Sequence, residues 1–340
     1  MKRLEKVDFL LDEVSKELSK ETDFPSLYAQ IRQWSETRPL SGLEILDATP
    51  VFLNTVAKHA ALVAGGANLS VISRESCQYD PRIPDILTKA EIPFYNHRPE
   101  GKSFDFILDC AAANSDIPAR KGRCELTRSG IQQYKKIETN VPIFATDSGR
   151  IKSIETTLGT GDGCYRAMLS DGLSPAGKHI LLFGHGRVGH GIESILTHAG
   201  AIVHICDPKE GKFFHPDMLH GTWAVITATG FKHALNDIAG HLYQSEALLI
   251  NMGADDEFGP AMPSERVLHG KQTFNFSLRE PTRTCYIDST LALDNAGVLH
   301  LLRHPGLSGF VIPPPELENT VLEPALQAGV INEQIKMLNI

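Results

Sequence analysis

The stretch ILLFGHGRVGHGIESILTHAGAIVHICDPKE (residues 180–210) contains two apolar runs separated by a glycine-rich turn. The first run leads directly into three glycines with the spacing G-x-G-x-x-G, which are Gly184, Gly186 and Gly189. The residues that follow have helical spacing and predict a helix from about Arg187 to Ala199. The second run is strand-like and ends at Asp207. The stretch therefore predicts a strand, a turn, a helix and a second strand that ends in an acid.

In this setting the three glycines predict a dinucleotide site. The first allows a tight turn, the second lets the backbone approach a pyrophosphate, and the third lets the helix lie close to the strand, so that the N–H groups at the helix N-terminus face the phosphates. Asp207 lies 18 residues after Gly189, close to the ~20 expected for an acid that binds the adenosine ribose. Its carboxylate would bind the ribose hydroxyls and repel a 2′-phosphate, which predicts NAD rather than NADP. The alternatives are a turn without a ligand and, for His185 and His190, either phosphate contacts or surface positions.

Strand-like runs alternate with helical patterns on both sides of this unit. Before residue 150 a helix is predicted at 51–66, and the strand candidates are LEILDA (43–48), LSVIS (69–73), IPFYN (92–96), FDFILD (104–109) and VPIFAT (141–146). From residue 179 onward the candidates are HILLFG, AIVHICD, WAVITATG and EALLINMG. This alternation predicts an α/β protein with two doubly wound domains, the second a Rossmann NAD-binding domain.

The glycine-, serine- and threonine-rich segment at 146–163 indicates where the two domains join. We expect a substrate-binding α/β domain at residues 1–152, with 305–325 returning to it. We expect the Rossmann domain at 153–304 and a C-terminal segment at 326–340.

Composition excludes several classes of protein. The 340-residue chain has 42% apolar residues, 22% charged residues and a net charge of −8, which argues against a nucleic-acid partner. No apolar stretch reaches the ~18 residues that a transmembrane helix needs, and we expect no membrane partner. The first twenty residues carry scattered charges and predict an amphipathic surface helix rather than a signal peptide, with apolar positions at Leu4, Val7, Leu11, Val14 and Leu18. We therefore expect a cytoplasmic protein.

Six cysteines are spread along the chain without a C-x-x-C pair; they are Cys77, Cys110, Cys124, Cys164, Cys206 and Cys285. This spacing predicts buried thiols in a reducing compartment, with metal ligation or disulfides as the alternatives. We expect no metal site.

Several segments resemble the S-adenosylhomocysteine hydrolase family, from about residue 43 to the C-terminus. ETTLGTGDGCYRAML (155–169) followed by AGKHILLFGHGRVGHG (176–191) is similar to the segment with which those enzymes enter their cofactor domain. VITATG (225–230) and LLINMG (248–253) are similar to the later strand ends that line the nicotinamide. By this resemblance the cofactor-binding residues would be Gly184, Gly186, Arg187, Val188, Gly189, Asp207, Thr127, Thr227, Ala228, Thr229, Gly230 and Asn251.

Three further segments are similar to the substrate-binding part of the same family. ELTRSGIQQY (125–134) resembles the E-x-T-T-T-G-V segment that touches substrate and nicotinamide. VPIFATDSGRIKSIE (141–155) resembles the catalytic segment V-P-x-x-x-x-N-D-x-x-T-K-x-x-x-D, and the HP at 304–305 resembles the G-H-P hinge.

The family's chemistry explains why NAD would be held near such residues. Oxidation of the ribose 3′-hydroxyl to a ketone acidifies the C4′ hydrogen, a base removes it, and the thiol leaves by elimination. Water then adds to the enone and the stored hydride returns. The resemblance thus implies an NAD-dependent hydrolase or lyase in one-carbon metabolism. Such an enzyme would act on a small nucleoside substrate, and we expect a homo-oligomer, either a dimer or a tetramer.

The resemblance also assigns catalytic roles. Lys152 would assist removal of the 3′-hydroxyl proton, Glu155 falls where the family has an aspartate near C4′, and Thr156 falls where it has an asparagine. Glu125 would bind the ribose hydroxyls, and His304 would be the hinge histidine. The structural alternatives are a surface lysine for Lys152, a helix-start acid for Glu155 and a loop residue for His304.

The chain departs from the family at three catalytic positions. Asp47 stands where the family has a histidine, and Cys110, with Asp109 one place before it, stands where the family has its second catalytic aspartate. Ala254 stands where the family has another histidine. The return segment after residue 305 is shortened, and the Lys/Tyr-containing C-terminal tail of many members is absent. Asp47, Cys110 and Ala254 thus stand where the family has the groups that would handle the leaving thiol and the water.

Three hypotheses remain open from the sequence. The first is an NAD-dependent hydrolase or lyase of adenosylhomocysteine or a close nucleoside thioether. The second is an NAD-dependent oxidoreductase that acts on another ligand with the same scaffold. The third is a catalytically silent NAD-binding regulatory protein. Lys152 and Glu155 favour the first two, whereas Asp47, Cys110 and Ala254 favour the last two.

Overall fold

The computed structural model describes residues 1–73 and 79–338, and its contacts divide the chain into two units. The first unit contains Met1–Ser153 and Ile287–Asn332, and the second contains Ile154–Tyr286 and the residues from Glu333 onward. Cys77 lies outside the described residues.

Helices and strands alternate through most of the chain. The helices are α1 (Arg3–Ser15), α2 (Pro25–Thr37), α3 (Leu53–Ala64), α4 (Ile83–Lys89), α5 (Arg128–Tyr134), α6 (Arg150–Ile154), α7 (Thr160–Ser170), α8 (Arg187–His198), α9 (Ala239–Gln244), α10 (Thr284–Arg303), α11 (Pro315–Ala328) and α12 (Asn332–Leu338). The strands are β1 (Glu44–Asp47), β2 (Asn68–Ile72), β3 (Phe94–Tyr95), β4 (Phe104–Asp109), β5 (Ala119–Glu125), β6 (Ile143–Ala145), β7 (His179–Phe183), β8 (Ile202–Cys206), β9 (Ala224–Thr227), β10 (Leu248–Asn251) and β11 (Phe310–Val311). A π-helical segment, Glu155–Gly159, lies between α6 and α7.

The first unit is built on a seven-stranded sheet with the order β11-β6-β5-β4-β1-β2-β3, and every pair is parallel. The chain moves outward from β1 through β2 to β3 and then resumes on the other side of β1 with β4. This reversal is the topological switch point of a doubly wound sheet, and ligands of such sheets bind beyond the carboxyl ends of the strands. Strand β4 is buried along its whole length, as expected for a central parallel strand.

The second unit is built on a parallel four-stranded sheet with the order β10-β9-β7-β8. Leu182, Ile226 and Ile250 point to one face, where they join a core with residues of α7 and α8. Alternate residues such as Leu181 and Val225 point to the other face, where they pack with residues of α9. Both faces are therefore covered, and the switch point lies at β7, between β8 and β9.

The predicted fold class, α/β with doubly wound parallel sheets, is confirmed. Two strands were not predicted, β5 and β11. Strand β5 was not predicted because the exposed, charged residues Arg120 and Lys121 lie near its start, before it enters the core. Helix α1 also differs from its prediction, since Leu4 is 50% exposed and Leu18 lies beyond the end of the helix.

The division into units differs from the expected domain boundaries. Residues 287–304 were expected in the second domain, but Ile287–Asn332 groups with the first unit. Asp288 accepts hydrogen bonds from the backbone N–H groups of Ser26 (2.7 Å) and Leu27 (2.9 Å), at the start of α2. These buried contacts tie α10 to the first unit. Among the described residues, no helix has the length and hydropathy needed to cross a bilayer.

Candidate functional site

The glycine-rich turn of the second unit follows β7, and close backbone packing requires glycine at two of its positions. Gly184 has φ +89°, and a Cβ there would lie 2.5 Å from the carbonyl oxygen of Ala228. A Cβ on Gly189 would overlap the carbonyl oxygen of Gly184. The helix α8 therefore starts in contact with the end of β7, as the sequence predicts.

Gly186 has a different environment. It is exposed, it is the N-cap of α8, and no heavy atom lies within 4 Å of the position that its Cβ would occupy. As a glycine, Gly186 has no side chain that could cap α8, and the first turn contains the partly buried Arg187 and Val188. The first N–H groups of a helix have no partner within the helix, so this N-terminus beside the open position at Gly186 suits a phosphate.

Asp207 stands at the carboxyl end of β8 and is held beside this turn. Its Oδ2 accepts a hydrogen bond from the backbone N–H of His185 at 2.7 Å, and its Oδ1 accepts one from Lys209 N–H at 2.8 Å. A carboxylate has about four acceptor sites, so capacity for two ribose hydroxyls remains. The turn, the helix N-terminus and the acid fit the pyrophosphate and ribose of a dinucleotide.

The end of β9 is held by a residue that the sequence analysis missed, Glu257. Its buried carboxylate accepts hydrogen bonds from Thr229 N–H (2.8 Å), Thr229 Oγ1 (2.8 Å) and Gly230 N–H (2.7 Å), and it also contacts the Thr227 hydroxyl. Thr227 and Thr229 thus face a protein carboxylate. No sequence signal singled out Glu257, because it lies in the loop DDEF next to two other acids.

The side chain of Asn251 is also hydrogen-bonded within the protein. It is buried, and its side-chain N–H group donates to the carbonyl oxygens of Lys271 (2.8 Å) and Asp255 (3.0 Å). The structure therefore gives Asn251 a role in holding the loop after β10. Ala228 is buried at the end of β9, and Ala254 is exposed.

Three acids of the first unit share the carboxyl edge of its sheet. Asp47, Asp109 and Glu125 end the neighbouring strands β1, β4 and β5, and Asp109 pairs in register with Glu125. All three side chains have an exposed fraction of 0%. The structure brings these predicted residues together, and it surrounds them with protein.

Glu125 is held by the loop after β4 and by Thr127. Its Oε1 accepts hydrogen bonds from Ala111 N–H (3.0 Å), Thr127 N–H (2.8 Å) and Thr127 Oγ1 (2.6 Å), and its Oε2 accepts one from Ala112 N–H (3.0 Å). Ala111 and Ala112 adopt left-handed backbone conformations with φ of 57° and 54°, which point their successive N–H groups at the carboxylate. Burial, and then the charge of Asp109, raise the pKa of Glu125 to about 8.

Asp109 is fixed by an aromatic partner. The Tyr134 hydroxyl donates to its Oδ2 at 2.6 Å, and the Asn114 side chain donates to its Oδ1 at 3.1 Å. Burial raises the pKa of Asp109 in spite of these hydrogen bonds. The thiol-bearing neighbour Cys110 is only partly buried.

Asp47 belongs to a completely buried ion cluster. Lys58 Nζ lies 2.9 Å from Asp47 Oδ2 and 2.8 Å from Asp294 Oδ2, and all three side chains have no exposed surface. His59 Nε2 lies 3.4 Å from the same Asp47 oxygen, and Thr146 donates to Asp294 at 2.8 Å. Burial alone would raise the pKa of Asp47, but the charge of Lys58 and the hydrogen bond with His59 outweigh it and lower that pKa.

The sequence contains a signal for this cluster in α3. Lys58 and His59 interrupt the otherwise apolar helix VFLNTVAKHAALVAGG. Charged residues are almost never fully buried unless they are paired, so a lysine in such a helix predicts a buried acidic partner. The histidine beside Asp47 is His59, which comes from α3 rather than from the position after β1.

The remaining predicted catalytic residues belong to other elements. Lys152 is buried on α6 in the first unit, and Glu155 is buried at the start of the π-helical segment in the second. His304 is exposed and follows α10. The last residue of α10, Arg303, lies nine residues beyond Asp294, or about 14 Å along the helix at 1.5 Å per residue. Because Asp294 is at the carboxyl edge, the structure does not bring His304 to it.

Comparisons with known proteins concern the fold. No protein-family profile matches the chain, and no curated protein matches it significantly. Similar solved structures include a dipicolinate synthase chain from Bacillus halodurans, which is 14% identical over 88% of this chain and 98% of that chain, with a TM-score of 0.42. A transhydrogenase from Sinorhizobium meliloti is 14% identical over 76% of this chain and 94% of that one, with a TM-score of 0.45.

A third similar structure is an NAD-dependent formate dehydrogenase from Staphylococcus aureus in complex with NAD. It is 11% identical over 65% of this chain and 87% of that one, with a TM-score of 0.36. These likenesses are to the α/β fold alone. The functional argument therefore depends on the geometry of this chain's own residues.

Proposed function

We propose that this protein is an NAD-dependent enzyme that oxidises the ribose 3′-hydroxyl of S-adenosylhomocysteine or a close nucleoside thioether. The observation that carries the NAD assignment is the turn after β7. Gly184 and Gly189 are required there by backbone contact, whereas Gly186 leaves space at the N-terminus of α8. A turn that served only to connect two elements would not need a glycine at the open position.

Each element of the turn has a role toward the cofactor. The N–H groups at the start of α8 would bind the pyrophosphate, and Asp207 would accept hydrogen bonds from the adenosine ribose. NAD would supply hydride transfer at the substrate carbon. The negative charge of Asp207, which the turn holds in place through His185 N–H, disfavours the 2′-phosphate of NADP.

The substrate assignment rests on the resemblance of the segments around Glu125, Lys152 and Glu155 to the adenosylhomocysteine hydrolases. Lys152 is buried, so it is not the surface lysine of the structural alternative, and Glu155 is a buried acid at the start of a helical segment. Lys152 would assist removal of the hydroxyl proton, and Glu155 would act near C4′. These roles are part of the proposal.

A second function, oxidation of another ligand without elimination, is favoured by a specific observation. Asp47, at the position of a family histidine, is locked by Lys58 and has no exposed surface. Ala254, at the position of the other histidine, offers no acid or base. Each general acid or base contributes about 10²–10⁴-fold to a rate, so the loss of two slows elimination and hydration far more than the first oxidation.

One experiment separates these functions. Purified protein loaded with NAD⁺ is mixed with adenosylhomocysteine or adenosine while reduced nicotinamide absorbance and free thiol are followed together. We expect rapid formation of NADH and slow release of thiol. Fast steady-state thiol release would instead establish a full hydrolase. No absorbance change with either ligand, in protein shown to hold NAD⁺, would overturn the substrate assignment and favour a different substrate or a regulatory role.

Two variants provide the controls. Lys152→Met should abolish NADH formation without changing NAD affinity, because Lys152 is assigned to the substrate. Gly186→Ala should weaken NAD binding itself, because its methyl group enters the space at the helix N-terminus.

A further inference from the structure

Three potential metal ligands lie together beside the glycine-rich turn of the second unit. His185 belongs to the turn, and His190 and Glu193 belong to α8. Their ligand atoms all lie within 4.8 Å of one another, and all three residues are partly buried. His185 Nε2 is 2.8 Å from Glu193 Oε2, and His190 Nδ1 is 4.0 Å from the same oxygen.

These distances suit a small tetrahedral ion. Zinc bonds to imidazole nitrogen and carboxylate oxygen are about 2.0–2.2 Å long, which places tetrahedral ligand atoms about 3.3–3.5 Å apart. The distance from Glu193 to His185 lies below this range, and the distance from Glu193 to His190 lies above it. Because the side chain of His190 is 45% exposed, its ring has room to move by the fraction of an ångström that closes the set.

An independent feature prepares His185 for a metal. Its other ring nitrogen, Nδ1, lies 2.6 Å from Glu210 Oε1, and Lys212 holds Glu210 through an ion pair of 2.7 Å. When Nδ1–H donates a hydrogen bond to this carboxylate, Nε2 is the ring nitrogen that faces Glu193 and can bind a metal. Metal-binding histidines have this outer carboxylate or carbonyl partner in nearly all cases, because it fixes the tautomer and the ring orientation.

We propose that His185, His190 and Glu193 bind one Zn²⁺ ion, with Glu210 orienting His185 and water completing the coordination. Two imidazoles and a carboxylate suit zinc, whereas Mg²⁺ prefers oxygen ligands in an octahedral arrangement. The site does not depend on the proposed NAD function, because its ligands are the side chains of the turn and α8 rather than the backbone groups assigned to the phosphates. It differs from the expectation of no metal site that came from the cysteine spacing.

The test is a Zn²⁺ titration of the full chain after treatment with EDTA, in competition with a chromophoric chelator. We expect one equivalent of Zn²⁺ to bind and a large excess of Mg²⁺ to leave it in place. His190→Ala and Glu193→Gln should each lower the affinity at least tenfold. Glu210→Gln should lower it by roughly 10–100-fold through its effect on His185.

A second histidine pair in the same unit provides the matched control. His179 and His204 are stacked and exposed, with His179 Nδ1 3.1 Å from His204 Nε2, but no carboxylate completes a metal site there among the described residues. Replacing both with alanine should leave the affinity of the tight site unchanged. Equal Zn²⁺ affinity in wild type and His190→Ala, or a loss confined to the His179/His204 variant, would overturn the proposal. Circular dichroism of each variant shows that the fold is retained.

Discussion

The carboxyl edges of the two parallel sheets differ in what fills them. In the first unit the edge at β1, β4 and β5 carries the acids Asp47, Asp109 and Glu125, each with 0% exposure. In the second unit the edge at β7 carries glycines, and the space beside Gly186 is open. Both edges lie at a topological switch point, where the fold makes room for a ligand. Topology therefore provides the position, and the size and charge of the local side chains decide whether protein or a ligand occupies it.

The edge of the first unit, at β1, β4 and β5, is called here the filled edge, and the edge of the second unit, at β7, is called the open edge. The buried acids of the filled edge need polar partners. Buried charges lose their hydration and are stable only when partners replace the water. Lys58 provides this for Asp47 and Asp294, whereas Glu125, whose pKa is raised, is held by hydrogen bonds from backbone N–H groups. The open edge differs, because it combines backbone N–H groups, which carry no net charge, with the single acid Asp207. We expect mutations at the first edge to affect stability and mutations at the second to affect ligand binding.

The largest effect should come from Lys58→Met, which leaves two buried carboxylates without their cation. We expect the free energy of unfolding to fall by about 3–5 kcal/mol, the usual result of removing one partner of a buried ion pair. The measurement is urea unfolding followed by the fluorescence of the buried Trp34, in a chain with Trp223→Phe. The exposed Lys89 of α4 supplies the control, since Lys89→Met should stay within about 0.5 kcal/mol. A small effect at Lys58 would mean that the cluster contributes little to the filled edge.

The second effect tests the open edge with a pair of glycines. Gly189→Ala should lower the stability of the second unit by about 1–3 kcal/mol, because the new methyl group overlaps the Gly184 carbonyl oxygen. Gly186→Ala meets no protein atom within 4 Å and should retain wild-type stability. Its affinity for NAD should nevertheless fall at least tenfold in a fluorescence titration. Unchanged NAD affinity in Gly186→Ala would show that the space beside α8 is not the phosphate site.

A third effect concerns the choice of cofactor. Asp207→Asn keeps the shape of the side chain and removes its charge, so it should weaken NAD binding by about 1.5–3 kcal/mol and narrow the preference for NAD over NADP. Titration of wild type and variant with both cofactors measures this. Asp217→Asn, at an exposed acid of the same unit, is the control. Equal affinities of the wild type for NAD and NADP would contradict the role of Asp207.

The last effect is a pH dependence at the filled edge, which per pH unit is smaller than the cofactor effect above. The pKa of Glu125 is raised from its ordinary value of 4.5 to about 8, so the folded protein keeps this proton at pH values where the unfolded chain has released it. Its contribution to stability is present below pH 4.5 and is lost as the pH rises toward 8, with a slope of at most about 1.4 kcal/mol per pH unit. In Glu125→Gln this component should be absent. Parallel pH profiles of wild type and variant would contradict the assignment.

The strand–turn–helix–strand unit at the open edge was predicted correctly from sequence because its determinants are local. Gly184, Gly186, Gly189 and Asp207 lie within one strand–turn–helix–strand unit, and their spacing along the chain sets their spacing in the structure. The strands β1, β4 and β7 were predicted for the same reason, since a short apolar run identifies a buried parallel strand. Strand β5 failed this test because only its second half is buried.

The prediction of the filled edge was incomplete because its determinants are distant in sequence. Lys58 and Asp294 are separated by 236 positions, and nothing in the pattern around Asp294 indicates a partner on α3. The family resemblance directed attention to His304 instead, which follows the same helix but lies away from the carboxyl edge. A helix places residues ten positions apart at opposite ends of a sheet, and the sequence does not show which end faces the acids.

The amino-acid sequence by itself determined the α/β class, the strands that contain short apolar runs, and the glycine turn with its acid. Each of these depends on residues that are neighbours along the chain. Only the tertiary structure decided that Asp47 is neutralised by Lys58, that Glu257 holds the end of β9, and that His185 meets His190 and Glu193 beside Glu210. Those contacts depend on how helices and loops pack over the sheets. Packing joins residues whose distance along the chain carries no information about their distance in space.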